Sequence, residues 1–382
     1  MNELEKLRGQ IDALDEQMLH LFEQRMQVSK QIAAYKQAHS TNVLQTGRED
    51  VVRAHAAQAM QDQTLASHAV SFINGVMDIS KDYQHECLHD TVWQDCLPRA
   101  PFDKEGTVGY FGEVGSNTEQ AMSEWFGTAC KHTVAIDSFE GVFRAIENGS
   151  IRYGVVPIEN SSTGAIDDVY DLLGKYNAYV IGEHWLRIRH ALWSKQGVAM
   201  SQIRSVYSHP QALAQCRAYL QEKGWEVHAS TNTAAAAMLV AQSSDPTQAA
   251  IAGVRAGERL GLQCMARDIQ TCNHNYTRFV IIAKELPIGQ EADKVSLRFA
   301  LYSASGTLYR ALRYFARYGI NMISLASRPV AENPCNYWFY VDLEGNLQQD
   351  NMRRALGVLQ ENTTSMRVLG EYRRGKWQCD TD

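Results

Sequence analysis

Apolar side chains recur at Leu4, Leu7, Ile11, Leu14, Met18, Leu21, Val28 and Ile32, in steps of mostly three and four. That spacing is the seam of an α-helix. The seam is longer than an ordinary globular helix, and a helix of that length needs partners, so residues 1–97 are expected to form a helical bundle, in a dimer. One slot breaks the rule: position 25 is Arg25, and Lys36, eleven residues on, lies only about 20° further round the helix. Two cations on a buried face call for an anion. After Pro98-Arg99-Ala100-Pro101, which reads as a linker, the texture changes. Between about 106 and 284, β-rich runs (TVGYF, GVVPIE, SVYSH, FVIIA) alternate with helical stretches. The alternation argues for an α/β domain with mostly parallel strands. ELPIGQEADK reads as a second linker, and residues 294–372 as strand, helix, strand, strand, helix, strand.

Composition narrows the class. A chain of 382 residues suits two or three domains, and 45% hydrophobic with 21% charged residues is ordinary for a soluble globular protein. The net charge of −6 gives no general attraction to nucleic acid or to anionic membrane, so Arg and Lys that bind small anions must be gathered locally. MNELEKLRGQ lacks the apolar core of a signal peptide, and no apolar run approaches the length of a membrane helix. The eight Cys contain no C-x-x-C and read as free thiols of a cytoplasmic protein.

Several clusters carry candidate chemistry. Arg8 sits about 100° round the first helix from Arg25 and needs another helix or a partner chain to join it. Arg48-Glu49 opens a second helix, and Ser80 and Gln84 share a face of a third. His85-Glu86-Cys87-Leu88-His89 matches H-E-x-x-H, but no third ligand follows at a suitable spacing, so no metal is expected. In the central segment, Gly112–Ala121 (GEVGSNTEQA) turns from a strand into a helix, with Ser116, Asn117 and Thr118 placed to cap it or meet an anion. In VVPIENSSTGAIDDVYDLL a buried strand ends in Glu159, Asn160 and Ser161, and ligands of open α/β sheets bind at such strand ends. Ser208 and His209 end another strand before Pro210, and Gln211 and Gln215 share the first face of the helix it starts. Asn275-Tyr276-Thr277-Arg278-Phe279 leads into FVIIA.

LRGQIDALDEQ, EQRMQV, IAAYK, GRE and DISKDYQ resemble the all-helical chorismate mutase domain of bacterial P-proteins; VPIENSSTGAI, YSHPQ and NYTRF resemble prephenate dehydratase, and residues 294–372 resemble an ACT domain. The resemblance implies three domains: helical mutase (1–97), two-lobed periplasmic-binding-protein-like α/β dehydratase (106–284) and α+β, ferredoxin-like ACT module (294–372). It implies an enzyme of phenylalanine biosynthesis that converts chorismate to prephenate and prephenate to phenylpyruvate without cofactor, as a homodimer or higher homo-oligomer. In the mutase, Arg8 of the partner subunit, Arg25 and Arg48 would hold the substrate's carboxylates and hydroxyl region. Lys36 and Gln84 would donate to the ether oxygen, Glu49 would take the ring hydroxyl and Ser80 would line the pocket. In the dehydratase, Thr277 would be the proton donor and Arg278 the carboxylate anchor; Glu159, Asn160, Ser161, Ser208 and Gln215 would line the cleft, with Ser116 and Thr118 opposite. His209 is a relay or a structural residue. Phenylalanine would bind between two ACT modules at Gly306, Leu308, Asn321, Ser327 and Arg328 and inhibit. The sequence departs from the family pattern at Gln45 (usually Asp), Asn117 (usually aromatic), Thr307 (usually Ala) and Ala326 (usually Glu). Gln45 leaves a second reading open, a dehydratase whose helices only dimerise; a non-catalytic amino-acid sensor and a metalloprotease are more distant.

Overall fold

The computed structural model describes residues 2–39, 46–88, 92–103, 105–272, 274–304, 306–330 and 333–376. It divides into two units, Met1–Val92 and Trp93–Asp382. The first is helical: α1 (Glu3–Ala38), α2 (Thr46–Gln58) and α3 (Ala66–Leu88). Ser29 and Ala33 of α1 and Met77, Ser80 and Gln84 of α3 are buried. The seam of α1 is not: Leu7, Ile11, Leu14 and Leu21 are each more than half exposed. Within this unit the chain leaves the apolar face found in the sequence uncovered.

In the second unit the chain forms two lobes. The first begins with β1 (Val108–Phe111), α4 (Asn117–Phe126), β2 (Thr133–Ile136), α5 (Phe139–Glu147), β3 (Tyr153–Asn160), α6 (Asp167–Lys175) and β4 (Tyr179–Arg187). The chain then crosses into the second lobe: β5 (Ala191–Ser194), β6 (Ser205–Ser208), α7 (Pro210–Gln215), α8 (Arg217–Lys223), β7 (Glu226–Ala229), α9 (Thr233–Gln242), β8 (Gln248–Ala252), α10 (Val254–Arg259) and β9 (Gln263–Ala266). It returns to the first lobe as β10 (Tyr276–Ala283). The second lobe's sheet has the order β9-β5-β8-β6-β7. Because β10 comes back from the far lobe, it runs antiparallel between β3 and β4, and β5 is antiparallel to β8. Both sheets are therefore mixed rather than mostly parallel. Val142, Val156, Val280 and Ile282 share one face of the first sheet's core, and Val108, Tyr110, Val155 and Ile281 the other, as strands covered on both faces require.

The last segment is β11 (Lys294–Ala300), α11 (Thr307–Arg317), β12 (Met322–Val330), β13 (Asn333–Glu344), α12 (Asp350–Glu361) and β14 (Ser365–Tyr372), in the sheet order β12-β13-β11-β14. That is a split β-α-β arrangement. Its sheet joins the first lobe's through Gly370 beside Val180, where a Cβ on Gly370 would collide with the Val180 carbonyl oxygen. The two expected linkers are ordered too: Arg99–Ala100 pairs with Leu286–Pro287, and Trp93 packs with Leu297 and Leu356. Among the described residues no helix is long and apolar enough to cross a membrane, and no cluster could hold a metal ion.

Candidate functional sites

In the helical unit, α1 and α3 ascend together. The Arg25 guanidinium donates to Ser80 Oγ and to the Val76 carbonyl (3.3 Å), and Lys36 Nζ donates to Gln84 Oε1 (3.4 Å). Ser80 also donates back to Val76 O (2.8 Å). Burial lowers the pKa of both Arg25 and Lys36, so an anion here relieves two unfavourable charges. Glu49 takes Arg53 (2.8 Å) and Lys81 (3.1 Å) and is held beside this face. The structure thus brings Arg25, Lys36, Ser80 and Gln84 together, with Glu49 fixed by its own ion pairs. Arg48 is exposed, and Arg8 lies about 25 Å back along α1, beyond reach of Arg25 in the same chain. Gln45 and the side chains of His85–His89 lie outside the described residues.

The second site is a cleft of about 180 Å³ between the two lobes. Ile188 and His190 line it from the outgoing crossover and Asn275 and Thr277 from the returning one. Asn117 opens α4, His209 and Gln211 open α7, and Asn232 and Thr233 open α9, so three helix N-termini, each with partial positive charge, also meet the cleft.

A hydrogen-bond chain fixes its floor. The Ser162 amide donates to Asn160 Oδ1 (3.0 Å), while Asn160 Nδ2 faces the Tyr276 carbonyl (3.2 Å), Asn275 Oδ1 (2.8 Å) and Thr277 Oγ1 (2.9 Å). Backbone groups therefore set the orientation of the Asn160 amide. Thr277 Oγ1 accepts from it, which leaves the hydroxyl hydrogen to point elsewhere. Ser162 Oγ donates to Asn160 Oδ1 and accepts from Gln215 Nε2 (3.0 Å), and Gln215 Oε1 faces His190 Nε2 (2.8 Å).

Several expected cleft residues do other work. Side chains alternate along a strand, so Thr277 and Asn160 face the cleft while Arg278 and Glu159, paired in register, face away. Arg278 is buried against Asp342 (2.6 Å) and Glu183 (3.4 Å), with Glu159 at 3.3 Å, and Lys294 joins Glu183 (2.8 Å) and Asp342 (3.1 Å). Burial opposes the Arg278 charge, but Asp342 and its companions outweigh it and raise its pKa well above the ordinary value. The residue expected to anchor a carboxylate instead joins β10 to the C-terminal segment. Ser208 donates to the Ile251 carbonyl (2.6 Å), Ser161 to the His274 carbonyl (3.1 Å), and Ser116 caps α4 at Glu119 N (3.3 Å). Thr118 is buried in the first turn of α4. His209 Nδ1 caps α7 by accepting from Gln211 N (3.2 Å), although the residue also lines the cleft.

Sequence reasoning passed over His190, Asn232 and Asn275 as cleft residues, and Ser162 as the link between Asn160 and Gln215. Asn275 had a signal, lying two places before Thr277. His190, between a strand and an apolar run, reads as a core residue, and only the crossover places it here.

In the C-terminal segment Gly306 takes positive φ (75°) at the start of α11, Leu308 packs on the core, and Asn321 donates to Glu344 (3.0 Å). Ser327 is exposed. Arg328 does not join these residues: it grips Asp171 (2.7 Å) and Asp167 of α6, which raise its pKa.

Comparison with known proteins defines the class. Residues 7–85 match the family described as Chorismate mutase type II, and residues 108–287 match Prephenate dehydratase. The bifunctional chorismate mutase/prephenate dehydratase of Escherichia coli (strain K12) is 31% identical over 97% of this chain and 96% of its own length; that of Enterobacter agglomerans is 30% identical over the same shares. The crystal structure of a prephenate dehydratase from Arthrobacter aurescens, in complex with L-Phe, superposes with a TM-score of 0.66 at 28% identity, covering 70% of this chain and 90% of that one. The chain belongs to the bifunctional chorismate mutase/prephenate dehydratase family.

Proposed function

We propose that the helical unit rearranges chorismate to prephenate and that the cleft of the second unit converts prephenate to phenylpyruvate, two consecutive steps of phenylalanine biosynthesis. The rearrangement breaks a C–O bond and makes a C–C bond with no proton transfer. The protein need only hold the compact conformer and stabilise negative charge on the ether oxygen. Arg25 and Lys36, fixed by Ser80 and Gln84, are suited to that. Arg8 of a second subunit and Arg48 complete the grip on the carboxylates, and Glu49 takes the ring hydroxyl. A homodimer in which α1 seams meet would cover Leu7, Ile11, Leu14 and Leu21 and bring Arg8 across.

In the cleft, loss of CO2 sends an electron pair into the ring as the hydroxyl departs, and one proton is consumed to make water. Aromatisation drives the reaction, so a positioned donor suffices. The observation that carries this reading is Asn160, whose oriented amide occupies the Thr277 oxygen and frees the Thr277 hydrogen for the departing hydroxyl. Thr277→Val keeps shape and removes the hydroxyl. It should lower dehydratase kcat by about 10²–10⁴-fold while mutase activity is unchanged; dehydratase activity within threefold of wild type would remove Thr277 from the mechanism.

Residues 294–372 serve as an ACT module that binds phenylalanine and lowers dehydratase activity in a cytoplasmic enzyme, the dehydratase domain spanning 106–284 and the mutase 1–97. The L-Phe bound to the Arthrobacter aurescens protein supports this. An inhibition curve flat to millimolar phenylalanine would refute it.

A further inference from the structure

The substrate of the cleft is a dianion, yet among the described residues that line it none carries a fixed positive charge. Among the described residues that line it, His190 and His209 are the only side chains of a type that can gain a positive charge. The helix N-termini supply partial charge only. One histidine is already committed. His209 Nδ1 accepts the Gln211 amide hydrogen, so adding a proton there would break the cap of α7.

His190 is differently placed. The Ser162 amide and the Tyr276 carbonyl orient Asn160; Asn160 Oδ1 takes the Ser162 hydroxyl hydrogen; Ser162 Oγ then accepts from Gln215 Nε2, and Gln215 Oε1 needs a donor. His190 Nε2 must therefore carry a hydrogen. Its Nδ1 is then a bare acceptor, and it is buried without a partner, in a residue only 3% exposed. Asn275 Nδ2, on the opposite crossover, is likewise a buried donor without a partner. A lone acceptor and a lone donor in one small cleft are costly unless a ligand answers both.

We propose that His190 becomes the cation of the cleft: on binding of the pyruvyl carboxylate, which substrate and product share, Nδ1 takes up one proton and donates, with Asn275 Nδ2, to that carboxylate. The inference rests on the dehydratase reading above. It assigns to His190 the anchoring role that Arg278, held by Asp342 and Glu183, does not perform. In the empty cleft burial lowers the His190 pKa, with Gln215 partly opposing. The groups packed against it, Gln215 from α7 and Gln270 from the returning crossover, are neutral, and the adjacent Arg189 pairs with Asp268 at the surface (2.6 Å). The ring is thus neutral when empty and charged when filled, so binding and proton uptake are linked.

Calorimetric titration of the full chain with phenylpyruvate, in two buffers of different ionisation enthalpy at pH 8, reads that uptake. About one proton is expected per dehydratase site, with an affinity that weakens about tenfold for each pH unit above the free His190 pKa. His190→Gln places an amide nitrogen near Nε2, keeps the Gln215 contact and cannot titrate. It should abolish the uptake and raise KM for prephenate about 10–100-fold, with a much smaller change in kcat. His190→Asn, which keeps a polar atom near Nδ1 but cannot charge, should also lose the uptake. Wild-type uptake near zero at pH 8 would overturn the proposal, as would His190→Gln with wild-type uptake and KM. If the variants do not fold, the wild-type uptake alone decides. Failure of the wild type to form phenylpyruvate would instead remove the dehydratase reading itself.

Discussion

Replacing Asp342 by Asn tests the junction between the catalytic strand and the C-terminal segment. The Asp342 carboxylate lies buried, 2.6 Å from Arg278 and 3.1 Å from Lys294, and also takes the Ser296 hydroxyl. Two cations, Arg278 and Lys294, face two buried carboxylates, Asp342 and Glu183, and Arg278 also meets the partly exposed Glu159. An Asn of the same shape keeps an acceptor for Ser296 and leaves the two buried cations with one buried carboxylate, Glu183, and the partly exposed Glu159. Breaking such a pair from one side costs about 3–5 kcal/mol, and the retained hydrogen bond puts this case near the lower figure. At roughly 2–4 °C per kcal/mol for a unit of this size, the second unit should melt roughly 6–12 °C lower in scanning calorimetry at pH 7. The sign with pH is fixed. Burial works against the Asp342 carboxylate, but Arg278 and Lys294 outweigh it and hold its pKa well below the ordinary value. Its stabilisation is therefore present above the unfolded value of about 4 and is lost as pH falls through the folded one. Wild type and variant should converge in acid. A shift under about 2 °C at pH 7, or a gap that persists at low pH, would refute the reasoning.

Other outcomes follow from the same contacts. Arg25→Met should lower mutase activity by at least about 100-fold and leave dehydratase activity intact, since it removes a charge that only the developing oxyanion and the substrate's carboxylates use; equal loss of both activities would point to unfolding instead. Leu14→Glu with Leu21→Glu places charges on the exposed seam of α1 and should give monomers in sedimentation that have lost mutase activity; an unchanged mass would show that the seam is not the interface. Arg328→Ala removes contacts to Asp167 and Asp171 at a partly exposed site and should cost about 1 kcal/mol or less in thermal stability; a larger loss, read by calorimetry, would mean that the pairs are more shielded than they look.

The order of helices and strands was legible because it rests on periodicity. The seam from Leu4 to Ile32, the alternating strands and helices of 106–284, and the strand and helix order of 294–372 all survive in the structure. What failed was direction. Parallel or antiparallel pairing depends on where the chain returns, and β10 returns from the far lobe, which no local pattern reveals. The site divides in the same way. Helical periodicity put Arg25 and Lys36 on one face and Ser80 and Gln84 on another, the resemblance joined the two pairs, and the structure brings their side chains into contact. Thr277 and Arg278 are neighbours in sequence, but strand alternation sends one to the cleft and the other into an ion cluster built from residues as distant as Asp342. The expected linkers paired as strands because Leu286 N reaches the Pro98 carbonyl (2.9 Å), a contact between segments almost 190 positions apart.

The central claim is that two separate sites work in succession, and the most direct test is product formation by the purified full chain. Chorismate and prephenate should be supplied separately, with no metal added. Phenylpyruvate from both substrates is the predicted result. Phenylpyruvate from prephenate alone would contradict it, and would mean that the helices around Arg25 and Lys36 keep the fold without the chemistry.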